Sequence, residues 1–319
     1  MNFSDLKIFE LPPQNALYAV IGILIALVLA SLIVYAVKKS NPQKDYTELV
    51  LRTRSWWYIL AFFCMMIFGG RFLAISCIYL VSYFALKEYF ALVSSQRLDR
   101  RVRLWAYFAL IGQFYFTITQ WYTMFLLFIP VYAFLLLPFR MILVGETQDY
   151  LKRISTIQWG LLLTVFSFGH IAYLFNLDQS KLPMGHAQGL LIYVVALTQF
   201  NDVAQYCWGK ALGKKKIVPK ISPNKTWAGF LGGIFTTMVL SALIAPYLTP
   251  MTMMPAMLCG ALIGASGFIG DVNISALKRD IGVKDSGNSI PGHGGILDRV
   301  DSLTFTAPIF FHVLSFFYF

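Results

Sequence analysis

The chain is predicted to be an all-α, polytopic integral membrane protein of about ten transmembrane helices, with a polar active-site cleft facing the cytoplasm. Three observations predict this. Of the 319 residues, 58% are hydrophobic and 13% are charged, against about 25% charged in soluble domains. The apolar stretches are continuous and approach the ~20 residues that a bilayer span requires, where a barrel would show alternation. The basic residues gather in every second loop.

Ten apolar stretches qualify as spans: 16–37, 55–69, 72–93, 104–119, 121–139, 157–175, 187–208, 227–247, 252–270 and 302–319. The first is too long for a signal-peptide core and lacks a basic start, so it reads as a retained helix. The loops after the first, third, fifth, seventh and ninth stretches carry 5, 4, 3, 6 and 4 Lys or Arg, which is 22 of the 26 in the chain. Lys7, Arg71, Lys87 and Lys181 are the remainder. The positive-inside rule then places all the basic loops in the cytoplasm and both chain ends outside. The net charge of +11 is accounted for by this topology and by attraction to anionic lipid headgroups. Nucleic acid is not an expected partner, because the basic residues are spread through short loops.

Cys64, Cys77, Cys207 and Cys259 all lie in apolar runs without a CxxC pair. Neither a disulfide framework nor a zinc site follows, and buried packing is the expectation. The chain divides into residues 1–155, scaffold spans with few polar groups, and residues 156–319, a catalytic membrane region. Nearly every unusual polar cluster falls within 187–301.

Five acids stand out there: Asp202, Asp271, Asp285, Asp298 and Asp301. Ionisable groups in or beside spans are costly and usually functional. Any one of them alone is accounted for by an interface pair with a lysine or arginine. As a group they point to a metal. Asp298 and Asp301 share one face if a helix begins near Gly295, and Asp271 closes the ninth span. Oxygen ligands of this kind suit Mg²⁺ shared with substrate phosphates. His293 fits a metal ligand, a phosphate donor, an acid–base group or a helix-start partner, with phosphate contact preferred. His170, His186 and His312 read as structural.

Gly292, Gly294 and Gly295 allow positive φ and bring backbone N–H groups close to a ligand. A following helix N-terminus would favour phosphate. The second cluster runs from Gly209 through the lysines at 214–216 to Ser222-Pro223-Asn224-Lys225-Thr226. Lys225 immediately precedes an apolar helix, with Ser222, Asn224 and Thr226 beside it. Those groups could hold triphosphate oxygens, although the P-loop spacing is absent. The same five residues also read as a helix-starting turn.

Taken together, Ser275-Ala276-Leu277-Lys278-Arg279, Lys284-Asp285 and Pro291-Gly292-His293-Gly294-Gly295-Ile296-Leu297-Asp298-Arg299-Val300-Asp301 resemble the signature of the phosphatidate cytidylyltransferase (CDP-diacylglycerol synthase) family. The block from Asp202 to Thr226 resembles it as well, so the likeness covers about 195–305. Ala228 stands where the family often has an acid, and Gly287-Asn288 differs from many members, which suggests a divergent bacterial paralogue. The resemblance implies a Mg²⁺-dependent nucleotidyltransferase in a bacterial inner membrane. Its substrates would be CTP and phosphatidic acid or a related lipid phosphate. Its products would be CDP-diacylglycerol and pyrophosphate. Membrane lipids are further partners, and a homodimer is compatible with it.

On that reading Asp271, Asp298 and Asp301 hold one or two cations. Lys225, Lys278, Arg279 and Arg299 bind phosphates. Asp202 and Asp285 orient groups nearby, with Lys284, Gly294 and Gly295 in the substrate loop. A phosphate monoester already presents an anionic oxygen near neutral pH, so no strong base is needed. Competing readings are a CTP-dependent polyprenol or dolichol kinase, a non-catalytic lipid-binding paralogue and, last, a transporter.

Overall fold

The computed structural model describes residues 11–41, 43, 45–93, 100–145, 148–182, 187–287, 289–292 and 294–319. Ten long helices follow one another: α1 (Gln14–Ser40), α2 (Thr47–Phe68), α3 (Arg71–Leu92), α4 (Arg100–Ile118), α5 (Tyr122–Leu143), α6 (Tyr150–Asn176), α7 (Gln188–Leu212), α8 (Trp227–Leu248), α9 (Met253–Ile281) and α10 (Leu297–Tyr318). Each apolar stretch named above falls on one of them. Among the described residues there is no strand, only isolated bridges such as Lys216 with Thr226.

Seven of the helices, α1, α3, α5, α6, α8, α9 and α10, are long and apolar enough to cross a membrane. The other three carry more polar residues: Arg52 and Arg54 in α2, Arg101 and Arg103 in α4, and Asn201, Asp202 and Gln205 in α7. Two of the long helices contain a widened π turn, at Phe128–Ala133 in α5 and Leu161–Phe166 in α6. Pro130 in the first has no N–H to give. Two side-chain amides feed carbonyls there: Gln113 Nε2 donates to Phe125 O at 2.8 Å and Gln158 Nε2 to Ile129 O at 3.1 Å. In hydrocarbon such internal satisfaction is what lets an irregular turn persist.

The centre of the bundle is α3, α6 and α10, with Ile75, Leu86, Tyr89, Phe90, Phe168, Phe310 and Phe311 fully or almost fully buried. His170 lies in this core, its Nδ1 on Phe166 O and its ring edge-on to Phe125 and Phe166. Helix α1 is the opposite case. Of its residues only Ala16 and Val20 are buried, and the rest present apolar surface suited to lipid. The cysteines are all free, and Cys207 is exposed on α7. The expectation of buried packing therefore fails for Cys207, because that face of α7 points away from α8 and α9.

Helices α7, α8 and α9 form a tight trio. Asn201 Nδ2 donates to Gly264 O, and Thr237 Oγ1 donates to Asn201 Oδ1, both at 3.2 Å. Small residues and side-chain hydrogen bonds drive association where lipid removes the hydrophobic advantage. Gly270 brings α9 against α10, since a Cβ there would lie 2.6 Å from Asp301 O.

Contacts sort the helix termini into two ends of the bundle. At one end Arg71 starts α3 beside Asn176 and Ile118, which end α6 and α4. Asn15 at the start of α1 meets Tyr247 at the end of α8 there. At the other end the start of α2 and the last turns of α3 touch the loop between α9 and α10. Arg52 on α2, the lysines from 214 to 225 between α7 and α8, and Lys278, Arg279 and Lys284 at the end of α9 belong to that second end.

Candidate active site

The first wall of the site is built by the segment joining α7 to α8. Ile217 N donates to Lys225 O and Trp227 N to Lys215 O, both at 3.1 Å, so the strip folds back on itself. Thr226 is buried and its Oγ1 accepts from Gly229 N at 3.1 Å, which caps α8. The helix-starting reading of this residue is the one that its contacts show. Ser222 closes the preceding turn through its backbone, and Asn224 is exposed beside it.

Fixed in this way, Lys225 points back into the trio. Its ammonium meets Asp271 Oδ2 at 2.5 Å and Gln205 Oε1 at 3.1 Å, and lies 5.6 Å from the centre of the Phe268 ring. Ser275 Oγ donates to the other oxygen of Asp271. Asp202 accepts from Ser302 Oγ on both oxygens, at 3.2 and 3.0 Å. Asp301 accepts from Ser302 N at 2.7 Å, where α10 breaks between Val300 and Leu303. Asp301 lies within electrostatic reach of Asp271, Asp202 and Lys278. Three carboxylates thus share one region with two ammonium groups. Asp202 sits ten residues before the end of α7 at Leu212, and Asp271 ten before the end of α9 at Ile281. At 1.5 Å per residue, both are about 15 Å below their helix ends.

The second wall is the loop from Gly282 to Ile296. Lys278 Nζ lies 2.8 Å from Asp298 Oδ1, with both side chains about nine-tenths buried. Asp298 Oδ2 accepts from Ser286 N at 2.8 Å and Gly295 N at 3.2 Å. Gly294 has φ +79°, a conformation that suits glycine. Gly295 has no room for a side chain, because a Cβ would fall 2.1 Å from Ser286 Oγ and 2.5 Å from Glu88 Oε2.

Glu88 was not among the sequence candidates. It is buried near the end of α3 and reaches this loop from the other half of the chain. Its Oε1 accepts from Ile296 N at 2.9 Å; its Oε2 accepts from Leu297 N at 2.9 Å and Ser286 Oγ at 3.3 Å. Arg52 Nε donates to Gly292 O at 3.3 Å, and Ser55 Oγ to Pro291 O. Residues 1–155 therefore contribute directly to the site. Its local sequence, Lys87-Glu88 near the end of a largely apolar helix, gives no sign of this role.

The expected metal set divides in the structure. Asp271 and Asp301 fall together with Asp202, whereas Asp298 is engaged by Lys278 and the loop backbone. Arg279 is exposed and donates to Ile221 O and Val283 O, both at 3.2 Å, tying the two walls together. Lys284 and Asp285 stand exposed on the loop, and Arg299 is exposed on α10. His293 lies outside the described residues, as do His186 and Asn288. Among the described residues no three acids, histidines or cysteines converge to hold a metal ion by themselves. Mg²⁺ does not need such a cage, because it usually keeps waters and shares one or two carboxylates with substrate phosphates.

Buried carboxylates, paired ammonium groups and a glycine loop thus lie together at one end of a bundle of long apolar helices, the build of a polytopic membrane protein. Residues 50–317 match the cytidylyltransferase family, and the chain belongs to it. An Escherichia coli protein described as uncharacterized protein YnbB is 44% identical over 290 residues, covering 91% of this chain and 95% of that one. A phosphatidate cytidylyltransferase of Bacillus subtilis is 37% identical over 192 residues, 59% of this chain and 68% of that one. A phosphatidate cytidylyltransferase of Haemophilus influenzae is 41% identical over 139 residues, 42% of this chain and 47% of that one.

Proposed function

We propose that this protein transfers the cytidylyl group of CTP to phosphatidic acid, or a closely related lipid phosphate, releasing pyrophosphate. The observation that carries the reading is the pair of Lys–Asp contacts, Lys225 with Asp271 and Lys278 with Asp298, in one site of a cytidylyltransferase-family chain. Each contact keeps a base for phosphate and an acid for a cation neutralised in the free protein. Phosphate oxygens compete for the two ammonium groups and so release carboxylate oxygens of Asp271 and Asp298. Those oxygens, with Asp301, would hold Mg²⁺. The ion supplies charge neutralisation for the triphosphate and its leaving group.

The lipid phosphate oxygen attacks the α-phosphorus, the bond to the β-phosphate bridge breaks, and pyrophosphate leaves with that electron pair. Lys225 and Lys278 offset the repulsion between two anions, and Arg279 and Arg299 lie at the rim where phosphates arrive. Asp202 and Ser302 fix the far side of the acid cluster. The ten-helix topology and the cytoplasmic position of this end rest on the basic loops, which matches the cytosolic supply of a nucleoside triphosphate.

The test is product analysis with radiolabelled CTP, Mg²⁺ and phosphatidic acid in detergent micelles. A labelled CDP-lipid and pyrophosphate are expected, with the rate down by about 100-fold or more in Asp271→Asn. Free CDP with a phosphorylated alcohol, formed when a polyprenol is supplied in place of phosphatidic acid, would replace this reading with a kinase. Equal rates in wild type and Asp271→Asn would remove the acid from the mechanism.

A further inference from the structure

We propose that Glu88 is a positioning residue for transfer: from α3 it holds the loop that aims Asp298 and Asp301. The proposal rests on the transfer reading above, and its structural half can be tested without it. Two carboxylates clasp the same piece of backbone. Ser286 gives its hydroxyl to Glu88 and its N–H to Asp298. Of the next stretch, Gly295 N goes to Asp298, while Ile296 N and Leu297 N go to Glu88. The residue following Leu297 is Asp298 itself, and Asp301 is one helical turn beyond. A shift of Glu88 therefore reaches both acids through a single short segment.

The packing leaves no slack for that shift. Glu88 is buried, and the Cβ that any other residue would place at position 295 falls on its Oε2. Arg52 and Ser55 of α2 hold the carbonyls of Gly292 and Pro291 at the other end of the loop. The loop is thus fastened to α2 and α3 at one side and to Lys278 of α9 at the other. A carboxylate is the group that the arrangement asks for, because both oxygens must accept. Glutamine would set an NH₂ against one of the two backbone N–H donors. Aspartate keeps both acceptors one methylene short.

The experiment compares full-length wild type, Glu88→Gln, Glu88→Asp and Arg52→Ala by hydrogen exchange and by transfer kinetics at varied Mg²⁺. In Glu88→Gln, exchange in peptides covering 286–297 should rise at least tenfold, while α6 and the first half of α9 stay protected. The kcat should fall by about 100-fold, the scale of a 1 Å misplacement, with the KM for CTP changed less than threefold and half-saturating Mg²⁺ raised. Glu88→Asp should recover part of kcat. Arg52→Ala, at an exposed position, should loosen 289–292 and cost less, which keeps the question open to measurement if Glu88→Gln does not fold. Unchanged exchange in 286–297 would overturn the proposal. So would a loosened loop with unaltered kcat and Mg²⁺ dependence. A wild type without transfer activity whose loop still loosens in Glu88→Gln would refute the function proposed above and uphold the clasp.

Discussion

The two Lys–Asp pairs of the site use the same groups and differ in what surrounds them. Lys225 and Asp271 keep about one-fifth of their side-chain exposure, and the other contacts of Lys225 are the Gln205 amide and the Phe268 ring. Among the described residues the charged groups of this pair meet side chains, with Ser275 Oγ on Asp271. Lys278 and Asp298 are about half as exposed, and Asp298 also terminates two backbone N–H groups of the glycine loop. The first pair can open and reclose with little change elsewhere. The second is wired into the chain path. On the proposed reading an incoming anion would open the first pair freely, whereas opening the second would also be felt by the loop, and identical side chains give no hint of that difference in isolation.

The largest way to break this comparison is Asp298→Ala. It leaves a nearly buried ammonium and two loop N–H groups without their acceptor, and should cost about 3–5 kcal/mol. A thermal scan in detergent should show a much lower midpoint, with transfer abolished. Lys225→Gln comes next. Transfer should drop by about 100-fold, while the midpoint moves by less than half as much as in Asp298→Ala. Equal thermal losses in the two variants would erase the distinction. The smallest effect is expected from Thr226→Val, which removes the cap of α8 and should cost about 1 kcal/mol. Its transfer rate should fall less than tenfold, because Lys225 is still held by the backbone pairing of the strip before it.

The helices were legible because a bilayer demands long apolar runs, and ten such runs are visible without any long-range information. Asp271 and Asp301 were legible because charge inside or beside those runs is costly, Lys225 because its turn precedes an apolar helix, and Lys278 only through the family signature. Their partners were only partly so. The Lys278–Asp298 contact joins residues twenty apart across a loop whose path depends on Gly294 and Gly295. Thr226 read both as a cap and as a phosphate contact, two compatible roles, and the position of Gly229 N shows the first. Glu88 could not be read at all as part of this site. It sits in Leu86-Lys87-Glu88-Tyr89 with an adjacent lysine, an ordinary charged pair by local pattern, and its acceptors' donors lie about 200 residues later. Pairing of α3 with the start of α10 is a tertiary event without a local signature. The widened turn in α5 had its mark in Pro130, but the amides of Gln113 and Gln158 that serve it come from other helices.

Asp202 and Asp271 lie about three turns of helix below the ends of α7 and α9, where the apolar stretch of α9 closes, and that depth bears on how a diacyl lipid could be a substrate. Drawing such a molecule toward water exposes acyl chain at about 0.8 kcal/mol per methylene, so a rise of even four carbons on each chain would consume several kcal/mol before any chemistry. With Asp202, Asp271 and the ammonium of Lys225 at the edge of the apolar stretches and not at the helix tips, the acceptor's phosphate could be met near the plane it already occupies. On the proposed reading the hydrophilic nucleotide would make the descent, and its phosphates would meet charges that neutralise one another in the free protein.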